Sequence, residues 1–325
     1  MKPKEFRKLS SVLKELTPHQ RQILMDRLQP TAQASATAQL VETRIAEKAV
    51  CPHCAHEHVS RWGFANGLQR YRCNACRATF NALTETPLAG LRHKAKWIAY
   101  AQQLVNGTSI RKSAAAVGIH PNTAFRWRHR FLSLPNGQQA IRLAGIAEAD
   151  ETYFLESQKG RRQGLSRAPR KRGGKAGKRG LSEEQTAVLI CRDRTGNTAD
   201  FMLEKADKEH LGAVLKPLLA TDVILCTDGE KALAAVAKEI GITHRPVNLA
   251  AGQRVVAGVY HVQNVNAYDS RLKEWMRRFH GVATHYLSNY LGWRRLIERH
   301  DRDISSVDFL RAALGIDGVQ HATGT

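Results

Sequence analysis

The sequence predicts a multidomain α/β protein in which a small metal-bound ribbon and a helix-turn-helix precede a larger mixed-sheet domain. Three observations carry this expectation. Cys51, Cys54, Cys73 and Cys76 form two C-x2-C pairs with eighteen residues between them. A helical pattern runs from about Leu91 to Leu132. From Gly145 the pattern changes to short β-rich runs separated by turns and helical segments.

A chain of 325 residues has room for two or three compact domains, and its 42% hydrophobic content is ordinary. The charge is not ordinary. Fifty Lys and Arg against 29 Asp and Glu leave +21, which points to a polyanionic partner, nucleic acid first. Ten of these cations fall between Lys159 and Arg179, where there is no acid. No stretch approaches the roughly 20 apolar residues of a membrane span. The start, MKPKEFRKLS, lacks the apolar core of a secretory signal. The expected compartment is the cytoplasm, where thiols stay reduced and six cysteines favour metal binding over disulfides.

Residues 1–45 read as N-terminal helices and a linker. Phe6, Leu9, Val12, Leu13 and Leu16 recur at helical spacing, and Thr17-Pro18 supplies an N-cap and first-turn proline for a second helix. Ile23, Leu24 and Leu28 share one side of that helix, and PTAQASATAQ reads as the linker. Residues 46–85 form the ribbon. Each cysteine pair closes a knuckle, and two knuckles complete a tetrahedral four-thiolate site suited to Zn2+. Arg61-Trp62-Gly63 and Tyr71-Arg72 fit a small hairpin between the knuckles. Four protein ligands leave no open position, so this metal is structural, and His53, His56 and His58 are expected at the surface. Cys191 and Cys226, isolated in strand-like runs, are expected in the core.

Residues 90–135 have the layout of a helix-turn-helix: a short helix from Ser109 to Val117, a turn at Gly118, and a second helix opened by Pro121. Ala124, Trp127 and Phe131 face inward on that second helix. Asn122, Thr123, Arg126 and Arg130 form the opposite face, a set of amide, hydroxyl and guanidinium groups suited to base edges and phosphates.

Residues 140–300 form the mixed-sheet domain, with 301–325 a C-terminal helix and tail. Strands are expected at 145–150, 186–191, 198–203, 222–227 and 242–247, with helices around 208–219, after Gly229 and from about Val265. The basic run GRRQGLSRAPRKRGGKAGKRG, with Arg170, Lys171 and Arg172 at its centre, cannot bury a core and falls between the first two strands. Asp150 ends one apolar run and Asp228 sits just past another. Carboxylates at adjacent strand ends bring oxygen ligands to one point, as Mg2+ prefers. In the last helix Val265, Tyr268, Leu272, Trp275 and Phe279 point to the core, while Asn266, Ser270, Lys273 and Arg277 share another face. Lys273, two turns after Asn266, is placed to hold a phosphate.

The order of these modules, with the segments ADETYF, CTDG, YHVQNVNAY, LKEW and RFHGVATHYLSNYLGWRR, resembles the zinc-ribbon insertion-sequence transposases of bacteria. The resemblance runs from the N-terminal helices through Trp293. It implies a ribonuclease-H-like catalytic domain of the DDE group, in the branch whose last acid is asparagine. By position it implies Asp150, Asp228 and Asn266 as ligands of two Mg2+ or Mn2+ ions, and Lys273 as the basic residue seven places on. It also implies DNA, both element ends and target, as substrate, and a homodimer or larger assembly. Glu148, on the same strand face as Asp150, is the next candidate for third ligand. Glu151 is expected on the opposite face, Asp269 one helical turn after Asn266, and Asn264 at the helix start as a cap. His261 reads as a hydrogen-bonded structural histidine. A zinc-ribbon, helix-turn-helix transcription regulator without catalysis, and a nuclease of the same fold, are the alternative readings.

Overall fold

The computed structural model describes residues 3–45, 49–161, 163–168, 174, 176–177, 182, 184–248, 251–301 and 303–316. In chain order its helices and strands are α1 (Pro3–Val12), α2 (Pro18–Glu42), β1 (Val59–Ala65), β2 (Leu68–Cys73) and β3 (Thr79–Phe80). Then come α3 (Trp97–Val105), α4 (Ile110–Val117), α5 (Pro121–Gly137), β4 (Ile146–Leu155), β5 (Gln185–Asp193) and β6 (Thr198–Leu203). The remainder are α6 (Lys208–Leu218), β7 (Ile224–Thr227), α7 (Lys231–Ile240), β8 (Thr243–Pro246), α8 (Gln263–Arg277), α9 (Leu287–Arg299) and α10 (Ser306–Leu314). Two compact units result: Met1–Asn106, Ser113–Trp127 and Ser305–Thr325 form the first, Gly107–Lys112 and Arg128–Ile304 the second. No helix among the described residues is long and apolar enough to cross a membrane.

In the first unit, Thr17 starts α2 with a capping box: the Gln20 N–H donates to Thr17 Oγ1 at 3.3 Å, and the Thr17 N–H donates to Gln20 Oε1 at 2.9 Å. The helix then runs unbroken to Glu42. This corrects the expectation of a linker at PTAQASATAQ. Alanine and glutamine are strong helix formers, so the segment keeps the helix without apolar periodicity. The ribbon strands pair antiparallel from Val59↔Cys73 to Ala65↔Leu68. Asn66 and Gly67 turn the hairpin at φ 53° and 76°, the left-handed pair a two-residue type I′ turn requires. In the helical part, Tyr100 donates its hydroxyl to the Ala124 carbonyl and meets Trp127 edge-on at 5.3 Å. α10 packs on α3.

The second unit is built on a five-stranded sheet in the order β6-β5-β4-β7-β8. The first three strands form an antiparallel meander, and β7 and β8 run parallel to β4. This order, with helices after the third, fourth and fifth strands, is the ribonuclease-H-like fold. Alternation along the strands gives the sheet two different faces. Ala147, Ala149, Leu189, Cys191 and Leu225 join Leu211 and Leu215 of α6 and Leu233 and Val236 of α7 in one core. On the other face α8 packs over β4 and β5, and α9 over β6. Val265, Tyr268 and Leu272 there are fully buried. Arg128 anchors this side: its guanidinium lies 5.0 Å from the Trp293 ring and 5.7 Å from Phe279, and donates to the Thr108 carbonyl at 2.6 Å. α9 approaches the end of α5 so closely that only glycine fits at position 292; a Cβ there would lie 2.5 Å from Asn136 Cα.

Candidate active site

The parallel register of β4 and β7 builds the site. Ile146 lies opposite Ile224 and Glu148 opposite Cys226, so Asp150 and Asp228, each two residues further, reach the same level and the same sheet face. β4 itself extends to Leu155, paired with Gln185, so Asp150 lies in mid-strand rather than at a strand end. It sits where the parallel partner stops, because the chain turns at Gly229, with φ 91°, into α7.

The electrostatics fit a cation. Burial first, then the charge of Asp228 and more weakly that of Asp269, push the Asp150 carboxyl up to about 6, while the Glu151 N–H bond and Lys273 oppose the shift. Glu151 alternates onto the α6–α7 face as expected, yet belongs to the same field: burial, then Asp150, Glu230 and Asp228, push it up to about 7. One buried oxygen on Glu151 and one on Asp269 have no hydrogen-bond partner. Asp150, Asp228 and Asp269 thus share one negative field, while Glu151 faces the other side of the sheet; among the described residues, the four ribbon cysteines are the one group of three or more His, Cys, Asp or Glu side chains whose donor atoms already lie within 4.8 Å of one another.

Asn266 is half-buried on the first turn of α8, and Lys273 is exposed two turns on. Lys273 Nζ pairs with Asp269 Oδ2 at 2.7 Å, an i,i+4 contact that holds the lysine along the helix. The start of α8 is fixed differently from expectation. The helix begins at Gln263, so Asn264 lies inside it and is not its cap, and Val262 at the N-cap position makes no side-chain bond. Glu148 performs that task. Its Oε2 accepts the Val265 N–H at 2.9 Å, and its Oε1 meets Arg194 and lies 3.3 Å from His261 Nδ1. Arg194 donates onward to the Val259 carbonyl at 2.9 Å. A buried carboxylate with both oxygens engaged is a docking clip for α8, and His261 is part of it. Sequence reasoning missed Arg194, which follows β5 in a turn with no local signal of its partner.

In the ribbon, Cys51 Sγ and Cys76 Sγ lie 3.6 Å apart, as do Cys54 Sγ and Cys73 Sγ, and all four sulfurs fall within 4.8 Å of one another. A tetrahedron with metal–sulfur bonds of about 2.3 Å has edges of about 3.8 Å, so the four thiolates fit one metal ion. His53 and His58 are exposed and His56 half-buried, while Cys191 and Cys226 are fully buried. In the helix-turn-helix, Gly118 turns with φ 64° and Pro121 opens α5. Ala124, Trp127 and Phe131 are buried, Asn122, Arg126 and Arg130 are exposed, and Thr123 is half-buried. Arg170, Lys171 and Arg172 lie outside the described residues.

Residues 142–294 match the model of the ISXO2-like transposase domain, and residues 89–135 that of the homeodomain-like domain. An uncharacterized protein in transposable element ISH50 of Halobacterium salinarum is 28% identical over 259 residues, covering 78% of this chain and 86% of that one. Solved structures that overlap include a pre-cleavage Mos1 transpososome, at 11% identity and a TM-score of 0.19 over 69% of this chain and 79% of that one. The Mos1 strand transfer complex overlaps at 12% identity and a TM-score of 0.21, over 69% and 78% of the two chains. These overlaps are shallow, and the fold rests on the strand order itself. The family matches and the sheet agree on one class of protein, the DNA transposases, which bind DNA and act on it through a DDE-type domain. Within that class, residues 142–294 carry an ISXO2-like transposase domain, and the similarity to the ISH50 protein is consistent with an insertion-sequence transposase.

Proposed function

We propose that this transposase binds the terminal inverted repeats of its element and cuts and joins DNA at Asp150, Asp228 and Asn266, with two Mg2+ or Mn2+ ions. The observation that carries this reading is the register that brings Asp150 and Asp228 to one level on one face of the sheet. Such ions, when bound, activate the attacking water or 3′-hydroxyl and stabilise the leaving oxygen. Asp150 and Asp228 hold the charge that binds them, and Asn266 adds a neutral oxygen from α8. Lys273, exposed beside this cluster, positions a phosphate of the strand being cut. Asp269 keeps the lysine in reach until that phosphate takes its place.

The module at 46–85, with Zn2+ on its four cysteines, and the helix-turn-helix at 90–135 recognise the repeat. Asn122, Thr123, Arg126 and Arg130 form the reading face. Arg170, Lys171 and Arg172 neutralise phosphates of flanking or target DNA. The two ends of an element are handled together, so the working form is a dimer or larger. Leu9, Val12 and Leu13, exposed on the N-terminal helices, offer apolar surface for that assembly. The chain works in the cytoplasm, on the DNA of the nucleoid.

An in vitro assay tests this with labelled element ends, Mg2+ and a plasmid target. Asp150→Ala and Asp228→Ala are expected to lose joining and keep end binding; efficient joining by either overturns the proposal. A chain that binds ends but never cuts them, in Mg2+ or Mn2+, is a regulator instead. Asn266→Ala is expected to abolish joining. Wild-type joining by that variant moves the third ligand to Asp269.

A further inference from the structure

A cavity of about 1010 Å3 opens within the second unit, between the far end of β4 and the C-terminal half of α8. Of its described lining, the reaction described above uses Lys273 alone. Phe154, Met276, Val282 and Leu287 give it an apolar floor, and Lys159, Arg161, Arg167, Lys273 and Arg277 give it a cationic rim. Among the described residues the single acid in its lining, Glu156, is paired with Arg167 at 2.9 Å. Its walls are bonded to each other. The Thr284 N–H donates to the Ser157 carbonyl at 2.9 Å, and the Ser157 N–H donates to Thr284 Oγ1 at 2.8 Å. Lys159 Nζ donates across the same gap to the Gly281 carbonyl at 2.7 Å.

An apolar floor beneath a cationic rim suits a molecule with a flat apolar face and an anionic tail. A nucleotide is such a molecule: the base face stacks on apolar and aromatic side chains while the phosphate meets lysine and arginine. The volume stands at the top of the roughly 300–1,000 Å3 range of small-ligand pockets, so it has room for a nucleotide. Lys273 belongs both to this rim and, through Asp269, to the neighbourhood of the catalytic carboxylates. We propose that the cavity receives one unstacked nucleotide of the strand being cut, drawn out of the duplex close to the reacting phosphate. This rests on the transposase reading and adds a substrate subsite to it. Extrusion of a base loosens the duplex beside the scissile bond and fixes the register of the strand in the site.

The test binds the full chain to a duplex carrying the terminal repeat and its flank, with Ca2+ in place of Mg2+ so that the strands stay intact. 2-Aminopurine, which brightens when unstacked, replaces in turn each base around the cleavage position. The expected result is a several-fold rise at one position of the cut strand. Met276→Trp, which fills the cavity, removes that rise, and Phe154→Ala, which strips its floor, reduces it. Both variants are expected to bind the end and to melt as the wild type does, and either one, folded, is sufficient for the comparison. Flat fluorescence at every position of a tightly bound end overturns the proposal and leaves the transposase reading standing. A rise undiminished in the folded variants overturns it too, because the base then sits elsewhere. Failure of the wild-type chain to bind the end at all overturns both.

Discussion

Glu148→Ala tests the clip that docks α8 onto the sheet. The substitution removes a carboxylate that is 1% exposed and leaves Arg194, 26% exposed, without its partner. It also strips the Val265 N–H, in the first turn of α8, of its acceptor. Truncating one side of a buried ion pair costs about 3–5 kcal/mol, and water reaching Arg194 brings this toward the lower end. The lost helix cap is included in that figure and accounts for about 1 kcal/mol of it. We expect a loss of about 3 kcal/mol, read by urea denaturation of the metal-free chain through the fluorescence of the buried Trp275 and Trp293. Glu148→Gln keeps an acceptor for Val265 and is expected to lose less than half as much. If Glu148→Ala keeps wild-type stability but loses all DNA cleavage, the clip is refuted and Glu148 becomes a metal ligand.

Three further outcomes are expected. Burial and neighbouring carboxylates raise Asp150 to about 6 and Glu151 to about 7 above their ordinary values, so their contribution to stability is full at acid pH and is lost as the pH rises through those values. The metal-free chain therefore weakens between about pH 4 and pH 7 from these groups, and Mg2+ raises the melting temperature more at about pH 8 than at about pH 5; an equal gain at both contradicts the assignment. Gly292→Ala places a methyl 2.5 Å from Asn136 Cα and 2.7 Å from the Pro135 carbonyl. Both are backbone atoms, so a loss of about 1–3 kcal/mol is expected on thermal or chemical melting, and a neutral result refutes the close packing of α9 on α5. Removing the ribbon metal with a chelator, or Cys73→Ser, is expected to abolish end binding while the second unit, which holds Trp275 and Trp293, still melts cooperatively. Unchanged end binding contradicts a structural metal in DNA recognition.

What the sequence discloses depends on how local each signal is. The strands of the second unit and the inward stripe Val265, Tyr268, Leu272, Trp275 are written in apolar spacing, and the structure buries all four side chains. The two aspartates are legible because each closes an apolar run. The length of α2 is not, since Ala and Gln favour a helix without marking a face. The hairpin turn is legible in the dipeptide Asn66-Gly67, whose residues adopt the left-handed conformation a type I′ turn needs. The cap of α8 was out of reach altogether: its acceptor, Glu148, stands 117 positions before the Val265 N–H it serves. A separation of 46 positions likewise hides the partnership of Glu148 with Arg194, which only the folded sheet brings about.

The parallel register of β4 and β7 has a consequence for the heredity of such an element. The segment from Leu219 to Val223 that feeds β7 is pinned at both ends: the Leu143 N–H donates to the Leu218 carbonyl at 2.8 Å, and the Ile224 N–H to the Gly145 carbonyl at 2.9 Å. A codon gained or lost within β7 itself shifts the pairing by one residue and turns Asp228 to the α6–α7 face. The ribbon and the reading helix would be untouched. On the proposed function, such a copy would still occupy the ends of its own element and of its active siblings, and a three-nucleotide change that leaves the reading frame intact would convert a mobile gene into a resident repressor of its own kind.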